Sequence, residues 1–97
     1  MKAMVNIDTL IEEEVDILEK EIIEDTKEIV LYDDDFNTFD FVIESLIKVC
    51  QHSAIQAEQC THIVHHNGKC GVKKGNISKL KPICSALLER GLTAEII

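Results

Sequence analysis

The chain has few aromatic residues and few residues that interrupt secondary structure. Its 97 residues contain no tryptophan, one tyrosine, three phenylalanines and one proline. The core must therefore be filled by isoleucine, leucine and valine. A chain of this length forms one small domain. It offers little room for a deep active site beside a separate cofactor domain, so we expect no bound cofactor.

Basic residues are scarce and unevenly distributed. The chain has 10 Lys and Arg against 18 Asp and Glu, for a net charge of −8. Residues 1–50 carry 15 acids and 4 bases, or −11, and residues 51–97 carry 3 acids and 6 bases, or +3. Affinity for nucleic acid depends on Lys and Arg that neutralise phosphates. We therefore expect no nucleic-acid partner.

Long hydrophobic runs and paired cysteine motifs are also missing. The first residues lack a long apolar stretch and are soon followed by acids, so neither a signal peptide nor a membrane span is predicted. The four cysteines, at positions 50, 60, 70 and 84, include no C-x-x-C pair. We expect a cytoplasmic protein with reduced thiols and no membrane partner.

Residues 1–26 are predicted to form an acidic N-terminal extension. Apolar residues recur there at spacings of three and four among dense Asp and Glu. This pattern is typical of an amphipathic helix, but it also suits an acidic tail that becomes helical only against a partner. We favour a mobile or partly helical extension.

Residues 27–97 are predicted to form the folded core. The pattern predicts strands over 28–32, 69–74 and 92–97, and helices over 39–50, from Ser53 to about His65, and over 77–89. Thr38 and Ser53 are the predicted N-caps, and Gly75 and Asn76 a turn. The order βααβαβ indicates an α+β fold, with a small three-stranded antiparallel sheet and three helices packed on one face.

An acidic run, Asp33, Asp34 and Asp35, falls between the first predicted strand and the first predicted helix. Three neighbouring carboxylates repel one another unless water or a cation offsets their charge. Their place beside apolar segments predicts an acidic rim next to an apolar surface, suited to a cation with a hydrophobic neighbour. The alternative is a solvated turn that only caps the helix.

A cluster of Cys60, His62, His65 and His66 raises the alternative of a metal site or a hydrolase. His62 and His66 are four residues apart on one helical face, which suits two zinc ligands. However, the sequence has no H-E-x-x-H motif and no second ligand pair with standard spacing. It also lacks a nucleophile elbow. We therefore expect that the protein binds no metal ion and is not an enzyme.

Three stretches of the sequence resemble one known family over residues 27–97. They are IVLYDDDFNTFDFVIESL, EQCTHIVHHNGKCGVKKG and the closing GLTAEII. They resemble ClpS, the adaptor of the bacterial Clp protease. The resemblance implies a βααβαβ core with a mobile N-terminal extension. It also implies an adaptor that binds proteins with a large hydrophobic first residue and passes them to an AAA+ unfoldase, the bacterial N-end rule.

The resemblance implies a role for each matching position. Asp33, Asp34 and His65 would hold the free α-amino group of the substrate, and Lys81 would contact the unfoldase. The hydrophobic pocket and its lip would be formed by Asn37, Thr38, Phe39, Val42, Thr61, Val64 and Leu92. The implied partners are a ClpA-type or ClpC-type unfoldase with its peptidase, and substrate proteins that carry an N-terminal degradation signal.

The sequence departs from the family pattern at three of these positions and at Asn76, a further position that contacts the unfoldase in the family. Asp33 replaces the usual asparagine, Phe39 and Thr61 replace the usual methionines, and Asn76 replaces an acidic residue. The preferred first residue of the substrate therefore stays open. So does an alternative in which the chain docks on the unfoldase and redirects it without recognising N-termini.

Overall fold

The computed structural model of the chain describes residues 26–97, which form six elements in the order βααβαβ. The elements are β1 (Lys27–Tyr32), α1 (Phe39–Cys50), α2 (Ala54–Asn67), β2 (Lys69–Gly75), α3 (Ile77–Glu89) and β3 (Thr93–Ile96). The predicted α+β fold is confirmed. The predicted extension, residues 1–26, lies outside the described residues except for its last one.

The ends of the helices follow from local capping. Thr38 and Ser53 accept the expected N-cap hydrogen bonds at the starts of α1 and α2. Asn76, predicted as a turn residue, instead caps α3, because its side-chain oxygen accepts the Lys79 N–H at 2.9 Å. Helix α2 runs to Asn67, beyond the predicted end, since Gly68 takes the left-handed conformation with φ of 90°.

The sheet has β1 in its centre, with β2 and β3 antiparallel on either side. The register between β1 and β2 shifts after Ile29, which pairs with Lys73, because Val30 pairs with Gly71. Val72 is the additional residue of this β-bulge. Its carbonyl oxygen lies 2.7 Å from His52 Nε2, so the bulge fixes the connection between α1 and α2.

The core lies between one face of the sheet and all three helices. Ile29 and Leu31, two residues apart on β1, are 0% and 1% exposed and face this core. Val30 between them is also buried, at 5% exposed, but does not belong to the same cluster. The helices contribute Leu46, Val64, Leu80 and Leu87 to the same core. Full burial of one such side chain stabilises the fold by about 1.5–3 kcal/mol. The predicted packing of the helices on one face is therefore observed.

The cysteines are unpaired thiols in this fold. Burial raises the pKa of Cys50 to about 11. Burial, together with the neighbouring Cys60 side chain, raises the pKa of Cys70 to about 11. Both thiols are therefore protonated at neutral pH and poor nucleophiles. Among the helices of residues 26–97, none is long and apolar enough to cross a membrane.

Candidate functional site

A cleft of about 360 Å³ opens where the end of β1 meets the start of α1 and the last turns of α2. We call it the acidic cleft. It is lined by Leu31, Tyr32, Asp33, Asp34, Asp35, Asn37, Phe39, Val42, Thr61, Val64, His65 and Leu92. Its residues come from three separate segments of the chain, 31–42, 61–65 and Leu92, so only the folded domain assembles it.

Nine of the ten residues predicted to bind substrate line this one cleft. The tenth, Thr38, does not line it, and its hydroxyl accepts the Phe41 N–H at 3.1 Å at the start of α1. Lys81, the predicted unfoldase contact, is exposed on α3 and does not line the cleft.

Sequence reasoning did not name Leu31 and Tyr32 as lining residues, and it named Asp35 only as part of the acidic run. The signal for Leu31 was available, since strand alternation places it on the same face of β1 as Ile29. Tyr32 is fixed at the cleft by β3, because its hydroxyl donates to Glu95 Oε1 at 2.5 Å. This hydrogen bond, together with desolvation and the Glu95 charge, raises the pKa of Tyr32.

The inner wall of the cleft is apolar. Leu31, Val64 and Leu92 are at most 5% exposed and also belong to the core. Thr61, 3% exposed, adds no unpaired donor, because its hydroxyl donates to the Ala57 carbonyl at 2.7 Å. Such a wall can accept a hydrophobic side chain without leaving a polar group unsatisfied.

The rim of the cleft is the acidic loop, residues 33–37, which is organised by Asp34. Asp34 Oδ1 accepts the N–H groups of Phe36 and Asn37, both at 2.8 Å, and Oδ2 accepts from Asn37 Nδ2 at 2.9 Å. Partial burial alone would raise the pKa of Asp34, but these hydrogen bonds outweigh it and lower the pKa. Asp34 is therefore a fixed carboxylate at neutral pH.

Asn37 connects the acidic loop to the residues before β3. Its Nδ2 also donates to the Gly91 carbonyl, at 3.0 Å. Both partners of this nitrogen are acceptors, which identifies it as the amide nitrogen. Gly91 has φ of 90° and directly precedes Leu92 of the apolar wall. Asn37 therefore holds the rim and the wall in a fixed relation.

Asp33 connects the end of β1 to the end of α2. Its N–H donates to the Gly68 carbonyl at 2.9 Å, and Gly68 follows His65 by less than one helical turn. This backbone link brings Asp33 and His65 to the same cleft. Within residues 26–97 the Asp33 carboxylate has no hydrogen-bond partner, so it is available to a ligand.

Phe39 packs against imidazole rings of α2. Its ring lies edge-on to His62 at 4.9 Å and to His65 at 5.5 Å between centroids. Edge-to-face contacts of this kind favour one ring orientation. The rings of His62 and His66 are parallel at 6.3 Å. Across residues 26–97, no three or more His, Cys, Asp or Glu are grouped to hold a metal ion.

Comparison with known proteins identifies a family from the sequence and a shared fold from the structure. A family model described as "ATP-dependent Clp protease adaptor protein ClpS" matches residues 23–95. The ClpS adapter proteins of Campylobacter jejuni subsp. jejuni (strain 81-176) and of Campylobacter jejuni subsp. doylei are each 37% identical to the chain over 62 residues. Those residues cover 60% of this chain and 65% of each relative, just under two thirds of the relative's length.

A solved structure also shares the fold. Agrobacterium tumefaciens ClpS2, bound to L-phenylalaninamide, superimposes with a TM-score of 0.64 at 20% sequence identity. The match covers 75% of this chain and 95% of that protein. At this identity the likeness shows a common fold.

Proposed function

The chain belongs to the ClpS family, and from this we propose that it is an adaptor for proteins with a large hydrophobic first residue. It binds the free N-terminus of such a protein and delivers the protein to a Clp-type AAA+ unfoldase and its peptidase. The observation that carries the proposal is the acidic cleft, which joins an apolar wall to carboxylates at its rim. This is a binding function without a chemical reaction.

The rim suits the α-amino group of a polypeptide. That group has a pKa of about 8, so at neutral pH it is mostly a cation with three N–H donors. Asp33 and Asp34 supply carboxylate acceptors, and His65 supplies an imidazole nitrogen. Asp34 Oδ2 accepts only one hydrogen bond from the described residues, so it can accept another. Each charge-assisted hydrogen bond contributes about 1.5–3 kcal/mol.

The inner wall suits the first side chain. Phe39, Val42, Thr61, Val64 and Leu92 surround it in the proposed complex. Burial of a leucine or phenylalanine there contributes about 1.5–3 kcal/mol. With two or three bonds to the amino group, the gross gain is about 5–12 kcal/mol.

Contacts to the second residue must add to this gain, because association itself costs several kcal/mol and micromolar affinity requires about 8 kcal/mol. Asn37 forms the proposed lip of the pocket, since Thr38 does not line the cleft. Asn37 Oδ1 has no hydrogen-bond partner within the described part of the chain, so it can accept the N–H of the second residue. Both the nitrogen and the oxygen of the Asn37 side-chain amide would then be used.

The ligand of the structural neighbour supports this chemistry. L-Phenylalaninamide carries a free α-amino group and a benzyl side chain, the two features that the acidic cleft is suited to bind. It is a ligand of Agrobacterium tumefaciens ClpS2, and we extend its binding mode to this chain only as part of the proposal.

Delivery uses a different surface. We assign the unfoldase contact to Lys81, which is exposed on α3 and outside the cleft. A substrate in the cleft would therefore leave Lys81 free. The extension, residues 1–26, would act in delivery by contacting or entering the unfoldase, while residues 27–97 hold the substrate.

Peptide titration tests the recognition step. Fluorescence anisotropy is measured with labelled peptides that begin with Leu, Phe, Tyr or Trp, and with Met-initiated and N-acetylated peptides as controls. We expect binding of the hydrophobic series and loss of at least about 100-fold on acetylation, because the cation and its donors are removed. Equal or absent binding throughout would contradict recognition and leave the alternative of an unfoldase-docking modulator.

A matched pair of variants locates the site. His65→Ala removes an imidazole that lines the cleft, whereas His66→Ala removes the neighbouring imidazole, which does not line it. We expect weaker peptide binding only in His65→Ala, with unchanged circular dichroism in both. Equal losses would argue against a contact between His65 and the amino group.

A further inference from the structure

Phe36 is a phenylalanine with almost no cover. Its side chain is 93% exposed, more than any other exposed large hydrophobic residue of the described chain, where the next is Ile55 at 70%. A single exposed apolar residue is ordinary on a protein surface. Two further observations, its fixed backbone and its position, separate Phe36 from that background.

The backbone of Phe36 is held by hydrogen bonds on both sides. Its own N–H and that of Asn37 both donate to Asp34 Oδ1 at 2.8 Å. Asn37 Nδ2 in turn donates to the Gly91 carbonyl at 3.0 Å. The acidic loop therefore presents the Phe36 ring from a fixed backbone, so contact with the ring costs little backbone entropy.

The position of Phe36 is the mouth of the acidic cleft. Its two sequence neighbours, Asp35 and Asn37, both line the cleft, and adjacent Cα atoms are only about 3.8 Å apart. An extended polypeptide advances about 3.3 Å per residue and points successive side chains in opposite directions. With its first side chain in the cleft, a bound polypeptide therefore has its second side chain outside the cleft, at the rim where the acidic loop carries Phe36.

We propose that Phe36 contacts the side chain of the second residue of the bound polypeptide and favours an apolar side chain there. The inference rests on the proposed function, since it assumes an N-terminal residue in the cleft. An apolar second residue covers part of the ring and removes both surfaces from water. A glycine at that position covers almost none of it.

The experiment compares three ligands of the full chain. They are leucinamide, a peptide that begins Leu-Leu and an otherwise identical peptide that begins Leu-Gly. Neither second residue is charged, so the charge of the acidic loop contributes equally to both peptides. The unmodified chain should bind the Leu-Leu peptide about three- to tenfold more tightly than the Leu-Gly peptide.

Three variants test whether the Phe36 ring causes the ratio of affinities for the Leu-Leu and Leu-Gly peptides. Phe36→Ala should reduce the ratio of the two affinities to near one, while leucinamide binds as before. Phe36→Leu, which keeps an apolar side chain, should retain most of the ratio. Ile55→Ala removes another exposed apolar side chain that does not line the cleft, and it should change nothing.

The outcomes separate this inference from the proposed function. If the unmodified chain binds none of the three ligands, the proposed function and this inference both fail. If all three bind but Phe36→Ala leaves the ratio unchanged, only this inference is overturned. Equal weakening of all three ligands by Phe36→Ala also overturns it, since that result indicates a disturbed loop.

Discussion

The two described cavities of similar size lie toward opposite ends of β1 and differ in chemistry. The acidic cleft, about 360 Å³, lies at the end of β1 that leads into the acidic loop. The second cavity, about 400 Å³, lies near the other end, and we call it the lysine cavity. It is lined by Glu28, Cys50, Gln51, His52, Gln56, Gly71, Val72, Lys73, Lys74 and Lys79. Volume alone therefore does not distinguish a binding site in this protein.

The difference lies in the walls and in how firmly the charges are held. The acidic cleft has buried leucine and valine behind its carboxylates, and Asp34 is fixed by three hydrogen bonds. In the lysine cavity only Lys73 has a described hydrogen bond from its ammonium group, to the Cys50 carbonyl at 3.2 Å. The ion pairs found within residues 26–97 involve neither Lys74 nor Lys79.

His52 shows that the lysine cavity also has a structural part. Its Nε2 must carry the proton donated to the Val72 carbonyl, because a carbonyl only accepts. Its other ring nitrogen is buried and has no hydrogen-bond partner among residues 26–97. The imidazole, 6% exposed, therefore serves to fix the α1–α2 connection to the bulge. Of these two cavities, the acidic cleft combines fixed charge with an apolar wall, the combination that the proposed ligand requires.

Asp34→Ala is expected to have the largest effect on the difference between the acidic cleft and the lysine cavity. The variant removes one carboxylate acceptor and the hydrogen bonds that organise the acidic loop. We expect Leu-initiated peptides to bind at least about tenfold more weakly, and the free energy of unfolding to fall by about 1 kcal/mol. Anisotropy and urea unfolding measure the two effects.

Asp35→Ala is the matched control for that variant. It changes the net charge equally and also lies at the cleft, but no described hydrogen bond is lost. We expect stability to stay within about 0.5 kcal/mol of the unmodified chain. A loss of stability equal to that of Asp34→Ala would indicate that charge, and not hydrogen bonding, organises the loop.

The second prediction concerns the pH dependence of stability. Hydrogen bonds from Asn37 and Phe36 outweigh the effect of burial and lower the pKa of Asp34 in the folded state. Its contribution to stability is therefore complete above the ordinary carboxyl pKa of about 4 and is lost as pH falls through the lowered folded pKa. The difference in unfolding free energy between the unmodified chain and Asp34→Asn should narrow as urea titrations move from pH 7 to below 3. If the difference in unfolding free energy stayed constant with pH, the lowered pKa of Asp34 in the folded state would be contradicted.

The third prediction concerns selectivity within the acidic cleft. Phe39→Met replaces a ring held against His62 and His65 by a flexible side chain. We expect a change of about two- to fivefold in the ratio of affinities for Leu- and Trp-initiated peptides, in favour of the larger tryptophan. Val49→Ala is a control on the same helix outside the cleft. An unchanged ratio would show that Phe39 does not limit the size of the first residue.

The smallest effect is expected from the lysine cavity. Lys79→Glu reverses one of its charges and leaves every described contact of the acidic cleft in place. Charges separated by more than about 10 Å are largely screened at 0.1 M salt. Binding of Leu-initiated peptides should therefore change less than about twofold. A loss as large as that of Asp34→Ala would make the two cavities parts of one site.

Much of the fold could be predicted because its signals are local. Apolar periodicity and the caps Thr38 and Ser53 depend on neighbouring residues, so most element boundaries fall within one or two residues of the observed ones. Asn76 was misassigned to a turn because asparagine favours turns and N-caps for the same reason, a side chain that accepts nearby N–H groups. The structure of α3 decided between them.

The site could be predicted only in part. The resemblance to the ClpS family named residues that do line one cleft. The local pattern alone predicted an acidic rim next to an apolar surface, without naming the residues of that surface. The contacts that hold the cleft residues in place could not be predicted from the sequence. The packing of Phe39 on His62 and the bond from Asn37 to Gly91 join residues 23 and 54 positions apart, and such contacts depend on how the helices cross the sheet.

The sequence by itself determined the order of the elements and the acidic character of the loop after β1. These follow from composition, periodicity and spacing over a few residues. Only the tertiary structure decided that the acidic loop meets an apolar wall, because that wall comes from β1, α2 and Leu92. It also decided that the lysine cavity, although similar in size, lacks such a wall. Burial depends on which distant segments pack together.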